Sequence, residues 1–298
     1  MLRNVLRTAG CALLLLSPLG GMALAKSRNA LVIGNAAYES APALKTPAVD
    51  AAIVAETLQA AGYDVTELHD VRQAAIGQVM RSFIDKVAAG GADGTAFVYY
   101  SGYAARTEGE NYLVPVDALI NGTDAVADEA FRLNDLLDEL AKTPLAARIV
   151  VLDASRDHKF GVAGGKPVAK GLATGKKISG MLLAYAAAPG AISNDGDGDY
   201  SLYTGTLVTL MRQPGLDMEK IVKNARLEVR KKTDGAQSPW MISALQAEVR
   251  LFDTPNQEAD ENARQPQKPQ SQRRRSRDVD PGRAAIGVMR EIIRRPPF

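Results

Sequence analysis

Thiols and imidazoles are scarce in this sequence. Its 298 residues include one cysteine, Cys11, and two histidines, His69 and His158. A lone thiol excludes an internal disulfide. If the stretch carrying it is cleaved off, thiolate metal sites and thiol nucleophiles are excluded as well. Two histidines leave few side chains that exchange protons near neutral pH. Aromatic residues are only 5% of the chain, with a single tryptophan. No nucleic-acid motif is present and the central region is acidic, so no nucleic-acid partner is expected.

Long apolar runs are also missing. The most apolar stretch lies near the start and is shorter than the roughly 20 residues a membrane span requires. Arg3 and Arg7 precede it, Leu13 to Leu16 form its centre, and Ala23-Leu24-Ala25 gives a small-residue cleavage pattern before Lys26. These are the parts of a secretory signal. Residues 1–25 are therefore expected to be removed, giving a periplasmic or secreted protein; an uncleaved anchor is the alternative. Cys11 comes before most of the apolar run, where a lipidated cysteine would not stand.

The composition that remains is ordinary: 46% hydrophobic and 23% charged, enough apolar material for a sizeable core without metals or disulfides. The net charge of +2 is unevenly spread. Residues 254–298 carry ten basic and six acidic side chains, and the leader adds two arginines, so residues 26–253 are left at −4.

Within 26–253, apolar runs alternate with amphipathic stretches. Strands are predicted at Asn29 to Gly34, Tyr63 to His69, Thr95 to Ser101, Arg148 to Asp153 and Met181 to Ala187, with a last one near Ala247 to Phe252. Helices are predicted at Pro47 to Ala61, Ala74 to Ala88, Leu133 to Ala141, Tyr203 to Met211 and Met218 to Lys232. Such alternation implies a mostly parallel sheet with helices on both faces. Residues 254–282 are rich in Gln, Pro and charge and read as a disordered linker. Residues 283–298 can form a short basic amphipathic tail, with Ile286, Met289, Ile292 and Ile293 on one side. With Arg273 to Arg275, this tail is a candidate for an anionic surface or a protein partner.

In an open parallel sheet, sites form beyond the carboxyl ends of the strands. The third strand runs into Tyr100-Ser101-Gly102-Tyr103, and the fourth into Asp153-Ala154-Ser155-Arg156-Asp157. If those strands are neighbours, Tyr103 and Ser155 share one crevice. His158 follows closely, and His69 ends the second strand. Asp195, Asp197 and Asp199 alternate with glycine in the manner of a calcium loop. However, Tyr200 stands where that motif needs Gly and Thr206 where it needs Glu, so an acidic surface loop is the simpler reading. No metal and no cofactor are expected.

Several segments carry a family resemblance. Arg28 to Asn35 with Tyr38, Asp50 at a helix start, Tyr112 to Asp117, Ala186 to Gly190, Tyr203-Thr204 and Gln237 to Trp240 resemble the bacterial caspase-like peptidases, the metacaspase and orthocaspase relatives. The likeness runs from about residue 28 to 252, and the joint order of the pieces is its specific feature. It implies a caspase-like α/β sandwich. It also implies a histidine where this chain has Tyr103 and a cysteine where it has Ser155. Asp157 matches a position that helps line an acidic specificity pocket, with Asp153 beside it; a solvated loop aspartate is the other reading of Asp157.

Those two replacements change the expected chemistry. A serine hydroxyl needs a neighbouring base, and a phenol is only about 0.1% ionised at pH 7. No Ser-x-x-Lys motif offers a substitute. The expectation is a catalytically inactive pseudo-protease that binds a peptide or protein in the crevice. A weak serine hydrolase using Ser155, or a scaffold with a binding tail, are the alternatives.

Overall fold

The structure, a computed structural model, describes residues 26–158, 160–161, 166–193 and 195–254. The leader, the linker beyond Thr254 and the amphipathic tail lie outside the described residues. Strand β1 (Arg28–Gly34) leads through helix α1 (Pro47–Ala60) to β2 (Asp64–His69), and α2 (Gln73–Ala89) leads on to β3 (Thr95–Ser101). A small excursion follows: β4 (Ala104–Thr107), β5 (Glu110–Leu113), the single turn α3 (Val126–Glu129) and β6 (Phe131–Arg132). Helix α4 (Leu133–Lys142) then returns to β7 (Ala147–Asp153), and β8 (Met181–Tyr185) comes next. Helices α5 (Leu202–Met211) and α6 (Met218–Lys232) precede β9 (Trp240–Ser243).

The main sheet has the order β2-β1-β3-β7-β8-β9, with only β9 antiparallel to its neighbour. Because helices cover both faces, the central strands are apolar on both sides. In β3, Phe97 and Tyr99 face α1, α5 and α6, while Ala96, Val98 and Tyr100 face α2 and α4. Helix α4 shows why such a segment folds as it does. Leu133, Leu136, Leu137 and Leu140 fall on one stripe at helical spacing and are all buried. Each contributes roughly 1.5–3 kcal/mol relative to an exposed side chain. The fold is thus the α/β sandwich that the alternation implied.

Two features departed from expectation. The stretch Ala247 to Phe252 is not a strand; it makes one isolated bridge, Asp217 to Arg250, and its backbone packs against the start of α6 through Met218 N to Val249 O at 2.8 Å. Its apolar residues Val249, Leu251 and Phe252 join the core that α6 covers. The last strand is instead β9, four half-buried residues directly after Pro239. Proline so close to a short edge run is what hid it. The second feature is the small antiparallel sheet β4-β5-β6. Its β4–β5 hairpin turns on Glu108 and Gly109, both at positive φ (51° and 79°). That is the primed-turn geometry that suits a two-residue hairpin. The strands it joins are too short and polar to show a periodic signal.

The strand ends are held at a fixed distance from α1 by Gly34. A Cβ there would lie 2.3 Å from the Pro47 carbonyl oxygen and 2.8 Å from the Ala51 Cβ. Gly34→Ala is therefore expected to push the start of α1 off the sheet, at a cost of about 1–3 kcal/mol. Urea denaturation checks this. A stability within a few tenths of wild type would show that the close approach is not needed.

Candidate functional site

The register of the sheet builds the site. Ser101 pairs with Asp153 across β3 and β7, and Gly102 N donates to Asp153 O at 3.3 Å. Tyr103 and Ser155 each follow two residues later, so both project from the same end of adjacent strands. The β1 end, the first turn of α1 and the 195–201 segment close around them through the bonds described below.

Tyr103 is part of the core here, only 2% exposed. Its backbone N donates to the Tyr38 hydroxyl at 2.7 Å, and its carbonyl accepts from Tyr100 Oη at 2.8 Å. Its own hydroxyl donates to the Pro42 carbonyl at 3.2 Å. Its ring meets Tyr38 edge-on at 4.7 Å and Phe160 at 5.5 Å, and Phe160 stacks on His158 at 4.6 Å. Burial raises the Tyr103 phenol above its ordinary value, so it stays neutral at physiological pH.

Ser155 is 1% exposed. Its carbonyl accepts from Ser193 N at 2.7 Å, but its hydroxyl has no hydrogen-bond partner among the described residues. The same holds for the hydroxyl of Ser193; the His158 ring faces the Ala169 backbone. Burial lowers the His158 imidazole below its ordinary value, with Asp157 opposing. The other histidine, His69, is exposed on edge strand β2 and pairs with Glu67 at 2.8 Å. Neither histidine is hydrogen-bonded to Ser155, although a nucleophile and its base need a contact of about 2.6–3.2 Å.

The two aspartates singled out in the sequence separate. Asp157 is exposed and pairs with Lys170 at 2.7 Å, which lowers its pKa. Asp153 is buried, accepting from Thr204 Oγ1 at 2.9 Å and from Ser201 Oγ. Beside it lies Asp50, fully buried in the first turn of α1, accepting from Ser201 N at 2.9 Å and Ser101 Oγ at 3.3 Å. Between them sits Arg156, 3% exposed, 3.6 Å from Asp50, 3.5 Å from Asp153 and 3.0 Å from Asp195. Asp50 appeared in the sequence only as part of a helix start, and Arg156 only as part of a motif. Nothing local marks a helix-start aspartate as one whose partner is 106 residues away. Among the described residues, no group of three or more His, Cys, Asp or Glu side chains is placed to hold a metal ion.

A mostly parallel sheet with helices around it and a polar cluster at its carboxyl ends defines a caspase-like α/β sandwich. Comparison then gives the family. The caspase-domain family (peptidase C14) matches residues 27–250, and the chain belongs to it. The chain is also similar to the mucosa-associated lymphoid tissue lymphoma translocation protein 1 homolog of Mus musculus. They are 33% identical over 101 residues, which is 33% of this chain and 11% of that one. The Homo sapiens protein of that name is 33% identical over 98 residues, 32% of this chain and 11% of its own length. The chain thus spans about a tenth of these curated relatives.

Burial, and after it the carboxylate of Asp153, pushes Asp50 up from 3.8 to about 7. Ser201 N and Arg156 oppose this. The folded protein therefore keeps a proton that the unfolded chain releases between pH 3.8 and about 7. This contribution to stability is complete below that window and is lost as pH rises through it. Asp50→Asn removes it. The stability of the variant relative to wild type should climb from pH 4 to 7 and level off near pH 8, as measured by urea unfolding. A difference that stays constant with pH would contradict the assignment.

Proposed function

We propose that this chain is a caspase-domain protein without protease chemistry, acting outside the cytoplasm as a peptide-binding or regulatory module. The observation that carries this reading is the state of the two positions where the resemblance implies a histidine and a cysteine. The Tyr103 hydroxyl donates a hydrogen bond to the Pro42 carbonyl at 3.2 Å, and its pKa is raised rather than lowered. It accepts no proton from Ser155. The Ser155 hydroxyl has no hydrogen-bond partner among the described residues. Losing a general base costs on the order of 10²–10⁴ in rate, and a hydroxyl is a weaker nucleophile than a thiolate.

The crevice is closed over Ser155, so a peptide or protein ligand contacts its rim or enters as the surrounding loops move. The extracytoplasmic location rests on the signal-like residues 1–25. An anionic surface or a protein partner for the basic tail rests on the arginines between 273 and 295. One observation favours a second reading, a weak serine hydrolase: the buried imidazole of His158 lies three residues along the chain from Ser155.

Fluorogenic peptides with basic and with acidic residues before the scissile bond separate the two. Wild type and Ser155→Ala should give the same background rate. Ser155→Cys alone leaves a thiol beside a neutral phenol, and Tyr103→His alone leaves a base beside a hydroxyl. Because such groups act as a unit, only the double variant is expected to cleave measurably. Wild-type turnover that Ser155→Ala abolishes would overturn the reading in favour of the hydrolase.

A further inference from the structure

Helix α6 carries a one-sided charge that neither the core nor the strand-end crevice uses. It holds six basic and two acidic side chains, whereas residues 26–253 as a whole are at −4. A helix turns about 100° per residue. Met218, Ile221, Val222, Ala225 and Val229 therefore fall on one side and are buried in the core. Lys220, Lys223, Leu227, Arg230 and Lys231 fall on the opposite side, and all five are exposed. The two acids, Glu219 and Glu228, lie on the flanks of this row. Arg226 is also on a flank, with its guanidinium 5.5 Å from the centre of the Trp240 ring. A helix face that only meets solvent mixes both signs of charge; this one holds four cations and a leucine.

The cations of the row are also largely unpaired. Exposed cations elsewhere are drawn to carboxylates, as Lys86 is to Asp64, Lys170 to Asp157 and Arg212 to Glu56. In the row, Lys220 pairs with Asp217 at 2.7 Å. Lys223, Arg230 and Lys231 make no ion pair with a described residue. Among them Leu227 is 57% exposed, a large apolar side chain with no place in the core. From Lys220 to Lys231 the row runs for about 17 Å along the helix.

We propose that the outward face of α6 is a docking surface for an anionic phospholipid bilayer, with Leu227 entering between the headgroups. Three of the four cations are lysines, compact charges on flexible stems that follow mobile phosphates; fixed, bidentate recognition of a protein's carboxylates favours arginine. Each Lys or Arg brought to such a surface strengthens binding about fivefold. Residues 254–298 hold ten basic and six acidic side chains, so the same chain offers the bilayer a second basic stretch. Helix α6 covers a face of the sheet while the crevice lies at the strand ends, so docking leaves the crevice rim free. The surface involves neither Tyr103 nor Ser155 and stands apart from the proposed function.

The test is vesicle binding by the mature chain, Lys26 to Phe298, with the basic tail kept in every variant. Vesicles of phosphatidylcholine with one third phosphatidylglycerol are sedimented in about 0.1 M salt, where the Debye length is about 10 Å. Wild type should sediment with them and stay in solution with phosphatidylcholine alone. Lys223→Gln, Arg230→Gln and Lys231→Gln together should weaken binding about a hundredfold with little change in thermal midpoint, since glutamine suits a helix. The same loss of charge at the exposed Lys166, Lys176 and Lys177 should change binding by less than about threefold. Leu227→Ala should weaken vesicle binding about five- to tenfold and leave binding to immobilised polyglutamate unchanged. Wild type that does not bind, or binding that the α6 triple variant keeps or that both triple variants lose equally, would overturn the proposal. Leu227→Ala that binds vesicles like wild type would overturn the bilayer in favour of an acidic protein partner. If the α6 triple variant does not fold, Leu227→Ala decides alone.

Discussion

One guanidinium set among three carboxylates is the constraint around which the strand-end face is arranged. Asp50, Asp153 and Asp195 together carry more negative charge than Arg156 can neutralise. The excess is accommodated by the hydroxyls of Ser101, Ser201 and Thr204 and by a raised proton affinity at Asp50. Burial by itself would lower the Arg156 pKa, but Asp153, Asp195 and Asp50 together hold it above its ordinary value. Replacing such a cluster with apolar side chains can be neutral for stability, whereas removing one member is costly. Its effect here is to fix which strand ends meet. It sets the β3 and β7 ends against the first turn of α1, and the loops follow.

That arrangement leaves the neighbouring reactive positions with packing roles. Tyr103 lies in an aromatic chain that runs from Tyr38 through Tyr103 and Phe160 to His158. Such edge-on and stacked pairs contribute about 0.5–1.5 kcal/mol each beyond the area they bury. Ser155 is buried, and its hydroxyl has no partner among the described residues, an arrangement that costs about 1–3 kcal/mol. The caspase-domain family supplies the scaffold, and the residues at the strand ends decide what it does.

Much of the scaffold was legible in the sequence because two-sided burial writes itself into the strands. Val32, Phe97, Tyr99 and Val151 alternate with Leu31, Val98, Tyr100 and Leu152, and each set faces its own helical layer. The positions of Tyr103 and Ser155 were legible because each follows directly on such a run. The β4–β6 excursion and β9 were not, since strands of two to four residues carry no period. The Asp50–Arg156–Asp195 cluster was hidden for a different reason. A charged residue in sequence reads as surface until its partner is known, and these partners come from distant parts of the chain. Asp157 shows the reverse case: the resemblance gave it a pocket, while the structure gives it an exposed pair with Lys170.

The proposal that Ser155 is inert is open to a direct chemical measurement. A fluorophosphonate phosphonylates a serine hydroxyl only when a base activates it and the site admits the reagent. Intact mass spectrometry of the wild-type protein after prolonged exposure should show no adduct beyond that of Ser155→Ala. A stoichiometric adduct that maps to Ser155 and is absent from Ser155→Ala would contradict the closed, base-free site.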